Sequence, residues 1–405
     1  MTTQTKTTWR KIKLGDVAEI ESGGTPSSSK PEYWDNGEIC WITLPDLKNK
    51  YIFDTQRKIT ALGLKNSSAK LLPINSVIFS SRATIGEISI TKVEASTNQG
   101  SKNFICDPKK IEYEFLYYLL KSKVDEIIGL ATGATYKEIN KTVFSGVEVE
   151  IPNIPTQKQI AYVLSAYDDL IENNTKRIKI LGQIAQAIYK EWFVKPVSGG
   201  ELPSGWEISI LGEHLIGLES GSRPKGGVGE VREGVPSVGA ENINGIGRHD
   251  HNSEKYIAKE FCEKMKRGVV QDRDVALYKD GAYIGRTSYF RDGFPHKNFA
   301  VNEHVFLLRS SGERITQNFL YLWLQEPDII HEIRATNANA AQPGINQPGV
   351  RGLKIVLPPQ KIVKTFDAKV EPILASVINL AKQNNELRQA RDLLLPKLVT
   401  GEINV

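Results

Sequence analysis

"VIFSSRATIG", residues 77–86, is followed in the second half of the chain by a degraded copy, "VALYKDGAYIG", residues 275–285. Each writes a β-branched run, a polar turn and a closing Ile-Gly, and a pattern written twice in one polypeptide marks a repeat architecture. The match extends outward in both directions. "WRKIKLGDVAEIESGGTP" from Trp9 aligns with "WEISILGEHLIGLESGSRP" from Trp206, and "STNQGS" at 96–101 with "AVNEHV" at 300–305. "EFLYYLL" at 114–120 aligns with "NFLYLWL" at 318–324, "ATGATYKEIN" at 131–140 with "ATNANAAQPGIN" at 335–346, and "IPTQKQI" at 154–160 with "LPPQKIV" at 357–363. The order never reverses. Each half is therefore one globular unit followed by one helical unit, with boundaries at 1–155, 156–195, 196–356 and 357–405.

The globular units alternate short β-branched runs with Gly, Pro and Ser turns, which predicts strands at Val77 to Phe79, Glu87 to Ile90, Val147 to Ile151, Val305 to Leu308 and Lys354 to Leu357. One amphipathic helix is expected in each, around Glu112 to Ile128 and Thr316 to Ile333. The fold class is α+β. In the helical units the apolar positions step by three and four: Ile160, Leu164, Tyr167, Ile171 and onward to Trp192, then Val363, Phe366, Val370, Ile373 and onward to Leu398. Each seam has a polar interruption, at Asn174 and Asn384, of the kind that fixes register in a coiled coil at some cost in stability. Two such seams, one ending each half, are expected to pair with each other. A whole globular unit lies between them, so the pair must run antiparallel, giving a pseudo-twofold arrangement. Helices of roughly 35 residues reach about 50 Å at ~1.5 Å per residue. Pro372 removes a backbone donor, so a short helix up to about Lys369 and a kink are expected there. "SGGELPSG" at 198–205 is the linker.

A length of 405 residues with 40% apolar content is enough for two or more cores. The net charge of +5 arises from 52 basic and 47 acidic residues, so nucleic-acid binding would have to rely on local patches. Three dispersed cysteines, Cys40, Cys106 and Cys262, fit a reducing compartment, and no apolar run spans a membrane; a cytoplasmic protein is expected. Catalytic signatures are missing. There is no Gly-Lys dipeptide for a P-loop, no GxGxxG after a strand, no Asn-Pro-Pro-Tyr type motif and no Glu-x-Lys nuclease pattern. "HDH" at 249–251 is the densest set of metal-binding side chains, but its turn-rich setting reads as a solvated loop, so no metal site is expected. The sequence points to a binding protein.

With the order of units, "LSAYDDLIENNTKRIKILGQIAQAIYKEWF" at 164–193 and "LRQARDLLLPKLVTGEI" at 387–403, the chain resembles the specificity subunit of type I restriction-modification systems. "SGGTP", "SSRATIG", "TNQGS" and "ATGAT" are similar to that family's first target-recognition domain. The second half departs from them and is expected to read a different sequence. The resemblance implies a non-catalytic subunit that binds double-stranded DNA. Each globular half would read one part of a split site, and the paired helices would set the gap. It also implies partners: two methyltransferase (modification) subunits and restriction/translocase subunits, which would carry S-adenosylmethionine, ATP and magnesium. A scaffold with two peptide- or carbohydrate-binding domains on a coiled stem is the alternative, and a stand-alone nuclease or methyltransferase is a third reading.

The candidate DNA contacts in the first half are Ser80, Ser81, Arg82 and Thr84 in the polar turn, Asn98 and Gln99, and Thr132, Thr135 and Lys137 in the hydroxyl-rich loop. Arg suits guanine, amides suit adenine and hydroxyls suit phosphate. In the second half they are Arg223, Lys225, Lys279, Tyr283 and Arg286, with Thr336, Asn337, Asn339 and Gln342. The apolar ends of the helical units, Tyr189, Trp192 and Phe193 in one and Leu394, Leu395 and Leu398 in the other, are expected to dock partner subunits.

Overall fold

The structure, a computed structural model, describes residues 9–132, 137–229, 231–335 and 344–405. The chain forms two compact units, residues 1–170 with 387–405, and residues 171–386. This differs from a division in sequence order, because each unit combines one globular half with a stretch of both long helices.

In the first unit a five-stranded sheet runs in the spatial order Ala18–Ser22, Ser101–Cys106, Val77–Ser80, Ile88–Thr91 and Tyr51–Ile52. In the second, four strands repeat the first four places: Leu215–Ser220, Val305–Ser310, Asp274–Tyr278 and Thr287–Phe290. Each unit adds a three-stranded sheet containing one parallel pair, Ile39–Ile42 with Ala95–Thr97 and Val235–Val238 with Ala300–Val301. Each also has an antiparallel ribbon that joins its beginning to its end, Arg10–Lys13 with Glu148–Ile151 and Glu207–Ile210 with Lys354–Leu357.

The repeat is clearest in backbone hydrogen bonds, which no side-chain divergence can disguise. Leu14 N–H donates to Val147 O at 3.0 Å, and Leu211 N–H to Leu353 O at 2.9 Å. Gly23 N–H reaches Ser101 O at 3.4 Å, as Gly221 N–H reaches Val305 O at 3.4 Å. The glycine shared by "SGGTP" and "SGSRP" is needed because a Cβ would stand 1.9 Å from Asn98 O at Gly23 and 1.7 Å from Val301 O at Gly221. Two chains cross there too closely for any side chain.

The expected strands are present. The expected helices are each broken in two, into Tyr113–Ser122 and Val124–Gly129, and into Gln317–Trp323 and Pro327–Ala335. Pro327 opens the last of these, as its fixed φ favours at a first helical turn.

The first long helix spans Ile154–Tyr189 and continues as a π-turn over Lys190–Val194; the second spans Gln360–Val399 without interruption. The break expected at Pro372 is thereby corrected. Pro372 and Ala368, whose carbonyl loses its usual N–H partner to the proline, are both exposed, so water is available to that carbonyl while the buried face continues. That face carries Val363, Phe366, Val370, Leu374, Val377 and Ile378, all at most 2% exposed, with Ile373 only partly buried.

Within each unit the two helices pair antiparallel. In the first, Arg391 Nη1 donates to Asp168 Oδ1 at 2.5 Å, while Ile160 and Leu164 share a core with Leu395 and Leu398. In the second, Asn384 Nδ2 donates to Ile171 O at 3.3 Å and Thr175 Oγ1 at 3.2 Å, and Phe193 packs on Phe366 with ring centroids 4.7 Å apart. Asn174 and Asn384 are buried, at 7% and 2% exposure. The Asn384 Oδ1 has no hydrogen-bond partner among the described residues, and an unpaired buried acceptor costs about 1–3 kcal/mol. Asn384→Leu is therefore expected to raise the urea midpoint by a stabilisation of that size; a lower midpoint would show that the amide is required by packing. No helix among the described residues is long and apolar enough to cross a membrane.

Candidate nucleic-acid interface

The motifs of the first half, distant in sequence, meet at one end of its five-stranded sheet. Strand Val77–Ser80 delivers the polar turn, and Ser81 N–H donates to Gly100 O at 2.8 Å, bringing it against "STNQGS". Ile139 N–H donates to Ser81 O at 3.1 Å, and Arg82 bridges Glu138 through the backbone, bringing in the hydroxyl-rich loop. Thr25 of "SGGTP" donates its hydroxyl to Gln99 Oε1.

The turn is tightly built. Ser80 Oγ donates to Thr84 O at 2.7 Å and accepts from Glu87 N–H at 2.8 Å, and Ser81 Oγ reaches Gly100 O at 3.2 Å. Both serines are buried, at 2% and 0% exposure, so their hydroxyls hold the turn in shape and do not project from it. Arg82 is half-buried, Thr84 exposed, and Ala83 between them adopts a left-handed φ of 66°. No hydrogen bond or ion pair engages the Arg82 side chain among the described residues. Asn98 Oδ1 accepts from Gly100 N–H at 3.0 Å, shaping its own turn. Gln99, Thr132 and Lys137 are exposed. Thr135 lies outside the described residues.

Sequence reading missed Thr25, Lys102 and Glu138. Lys102 Nζ, 3% exposed, donates to Ser81 Oγ at 3.1 Å and to Glu138 Oε1 at 3.2 Å, a buried cation directly behind the turn. Its position in the otherwise buried strand Ser101–Cys106 was the available signal, since a lysine is rarely buried without a partner.

In the second unit the same frame carries different chemistry. Lys279 N–H donates to His304 O at 3.0 Å and Ile345 N–H to Lys279 O at 2.9 Å, so Lys279 stands where Ser81 does. Asp280, which bridges Gly344, stands where Arg82 does. The charge at the tip is reversed. Asp280 Oδ2 accepts from Lys279 Nζ at 2.9 Å and His304 Nδ1 at 2.8 Å. Arg223 is paired with Glu303 at 2.6 Å, whereas exposed Lys225 has no partner among the described residues. Tyr283 is 46% exposed and stacks under the Arg286 guanidinium, 4.0 Å from its ring centroid; Arg286 also reaches Asn244 Oδ1 at 3.4 Å. Thr336, Asn337, Asn339 and Gln342 lie outside the described residues.

Two expectations are corrected. The docking residues are not overhangs. Tyr189 and Phe193 are 3% and 4% exposed, packed on Phe319 with centroids 5.3 and 4.8 Å away, inside the core of the second unit. Leu395 and Leu398 are 6% and 2% exposed in the core of the first unit, and Trp192 and Leu394 are half-buried against the same cores. The helix ends are apolar because globular surfaces cover them. The "HDH" stretch is not a solvated loop either: the His249 side chain is 1% exposed and, with His251 and His296, converges on Glu254. Burial pushes the His249 imidazole down to about 4, against the pull of Glu254. Burial alone would raise Glu254, but hydrogen bonds from Tyr256, His296 and His249 hold it down to about 2.

A family model described as "Type I restriction modification DNA specificity domain" matches residues 6–182. The chain is similar to the type I restriction enzyme MjaIX specificity subunit of Methanocaldococcus jannaschii, at 32% identity over 98% of this chain and 94% of that protein. It is 23% identical to the MjaVIII specificity subunit of the same organism over 98% and 93% of the two chains. Its fold is similar to that of the S subunit of the type I restriction-modification system from M. genitalium, with a TM-score of 0.59 and 18% identity over 98% of each chain. A duplicated α+β unit, two long helices that pair within each copy, and a full-length relative at this identity together establish that the chain belongs to the type I restriction enzyme specificity subunits.

Proposed function

We propose that each globular unit reads one half of a bipartite double-stranded DNA site, and that the paired helices set the number of unread base pairs between the halves. The observation that carries this reading is one backbone frame presenting Arg82 in the first unit and Asp280 in the second. A repeated frame suits two similar surfaces of the same polymer, and opposite charges at its tip suit two different base sequences. An arginine can donate two hydrogen bonds to guanine, whereas a carboxylate can accept from cytosine N4. Both long helices contribute residues to both units. Two readers facing one side of DNA need half-sites about one helical turn apart, ~34 Å, a distance within the ~54 to 60 Å that 36 and 40 helical residues can reach.

In this reading the chain acts in the cytoplasm with two methyltransferase subunits and with restriction/translocase subunits. S-adenosylmethionine, ATP and magnesium belong to those partners. Membership of the specificity-subunit family leaves the peptide- or carbohydrate-binding scaffold without support. The test is to express the chain with the methyltransferase encoded beside it and map modified adenines across a genome. A two-part motif with a constant gap is expected; an undivided motif would overturn the proposal.

A further inference from the structure

Among the described residues, three of the chain's six histidines meet at one point in the second unit. His249 and His251 lie on the loop before strand Tyr256–Ile257, and His296 lies on the segment after strand Thr287–Phe290. His249 Nε2, His251 Nδ1 and His296 Nε2 stand 2.5, 2.8 and 2.5 Å from a single oxygen, Oε1 of Glu254. The ring centroids are 4.6, 5.5 and 5.4 Å apart and their planes are inclined at 65 to 89°. Three imidazole nitrogens thus cluster around one carboxylate oxygen, and all four potential ligand atoms lie within 4.8 Å of one another.

Hydrogen bonding alone accounts poorly for this geometry. A carboxylate oxygen offers two lone-pair sites, and here three imidazole nitrogens crowd one oxygen while, among the described residues, the other receives Tyr256 Oη alone, at 2.7 Å. The site is walled on one side, with His249 and Glu254 side chains 1% and 6% exposed, and open on the other, where His296 and His251 are 26% and 34% exposed. A cation held among these four atoms would accept a lone pair from each imidazole and from the carboxylate together.

We propose that the second unit holds one divalent transition-metal ion of the zinc class, ligated by His249, His251, His296 and Glu254. Imidazole with one carboxylate favours zinc over calcium or magnesium, which prefer all-oxygen shells. Four protein ligands fill a tetrahedral zinc, so the site is structural. It joins the loop carrying Asn244, the partner of Arg286, to the segment at His296, 42 residues from Glu254 in the chain. Tyr256 orients the carboxylate from outside the coordination sphere, a role whose loss typically costs about 10–100-fold in metal affinity. The first half contains no histidine, so the site belongs to one half of the repeat only.

The test uses the full-length chain without a polyhistidine tag, stripped with chelator, exposed to zinc, calcium or magnesium, and desalted. Elemental analysis is expected to find about one zinc per chain and no retained calcium or magnesium. Cobalt in place of zinc is expected to give the visible absorption of a tetrahedral site. His296→Ala is expected to abolish binding, and Tyr256→Phe, which leaves every ligand in place, to weaken it about 10–100-fold while far-UV circular dichroism stays unchanged. A folded wild-type chain that retains no zinc would overturn the proposal, as would His296→Ala and Tyr256→Phe variants that bind it as tightly as wild type.

Discussion

Glu371→Ala is expected to destabilise the second unit by about 1–3 kcal/mol, the usual cost of leaving buried donors without their acceptor. Glu371 lies on the second long helix and receives Arg291 Nη2 at 2.6 Å, Arg273 Nη2 at 2.7 Å and Asn318 Nδ2 at 2.8 Å. Arg291 is 2% exposed, and without Glu371 its guanidinium keeps, among the described residues, the Asp292 carboxylate that meets its Nε at 2.8 Å. The cost is therefore that of a buried charge left short of one of its two acidic partners. Replacing both partners together, as Arg291→Met with Glu371→Leu, should recover most of the loss. Burial alone would raise the Glu371 carboxyl, but hydrogen bonds from Arg273, Arg291 and Asn318 hold it down to about 2, below an ordinary value of 4.5. Its stabilisation is thus fully present above about pH 4.5 and lost as pH falls towards 2. Urea unfolding across that window should converge for wild type and Glu371→Gln at the acid end. A loss below about 1 kcal/mol for Glu371→Ala at neutral pH would show that the cluster behaves like a surface pair.

Arg82→Ala is expected to cost about 1–3 kcal/mol, roughly 5- to 150-fold in affinity, at one base of the first half-site, leaving the second half-site's preference intact. Arg82 stands at the tip of a turn fixed by Ser80, Ser81 and the buried Lys102, with nothing among the described residues engaging its guanidinium. Asp280→Ala should relax only the second half-site. Competition binding against half-site variants, with the methyltransferase subunits present, separates these outcomes. An equal loss on every sequence, with the salt slope reduced by about one, would place Arg82 on phosphate.

Much of this was legible in the sequence because it follows from periodicity. The heptad steps from Ile160 and Val363 depend on burial alone, and both helices formed where they indicated. The strands around Val77 and Lys354 are short apolar runs bounded by turns and were equally readable. Pro372 misled because its local penalty falls on a solvated face, a fact of tertiary placement. The breaks at Lys123 and Pro327 lie inside apolar patterns that continue through them.

For the site, the motifs were visible but their convergence was not. Gly23 and Gly221 look like turn residues and in fact permit a chain crossing. Tyr189 and Leu398 look like docking surface because sequence gives apolar character without its neighbours. His249 and His296 are too far apart in the chain to read as one cluster, so "HDH" by itself reads as a loop.

In the proposed function the long helices are the element that fixes the gap between half-sites. Seven residues inserted between Thr175 and Lys176, together with seven between Gln383 and Asn384, preserve the pairing of Asn384 with Ile171 and Thr175. They lengthen both helices by about 10 Å, or about three base pairs at ~3.4 Å each. Mapping of modified adenines should then return the same two half-sites with a gap about three base pairs longer. The same half-sites with an unchanged gap would contradict the account.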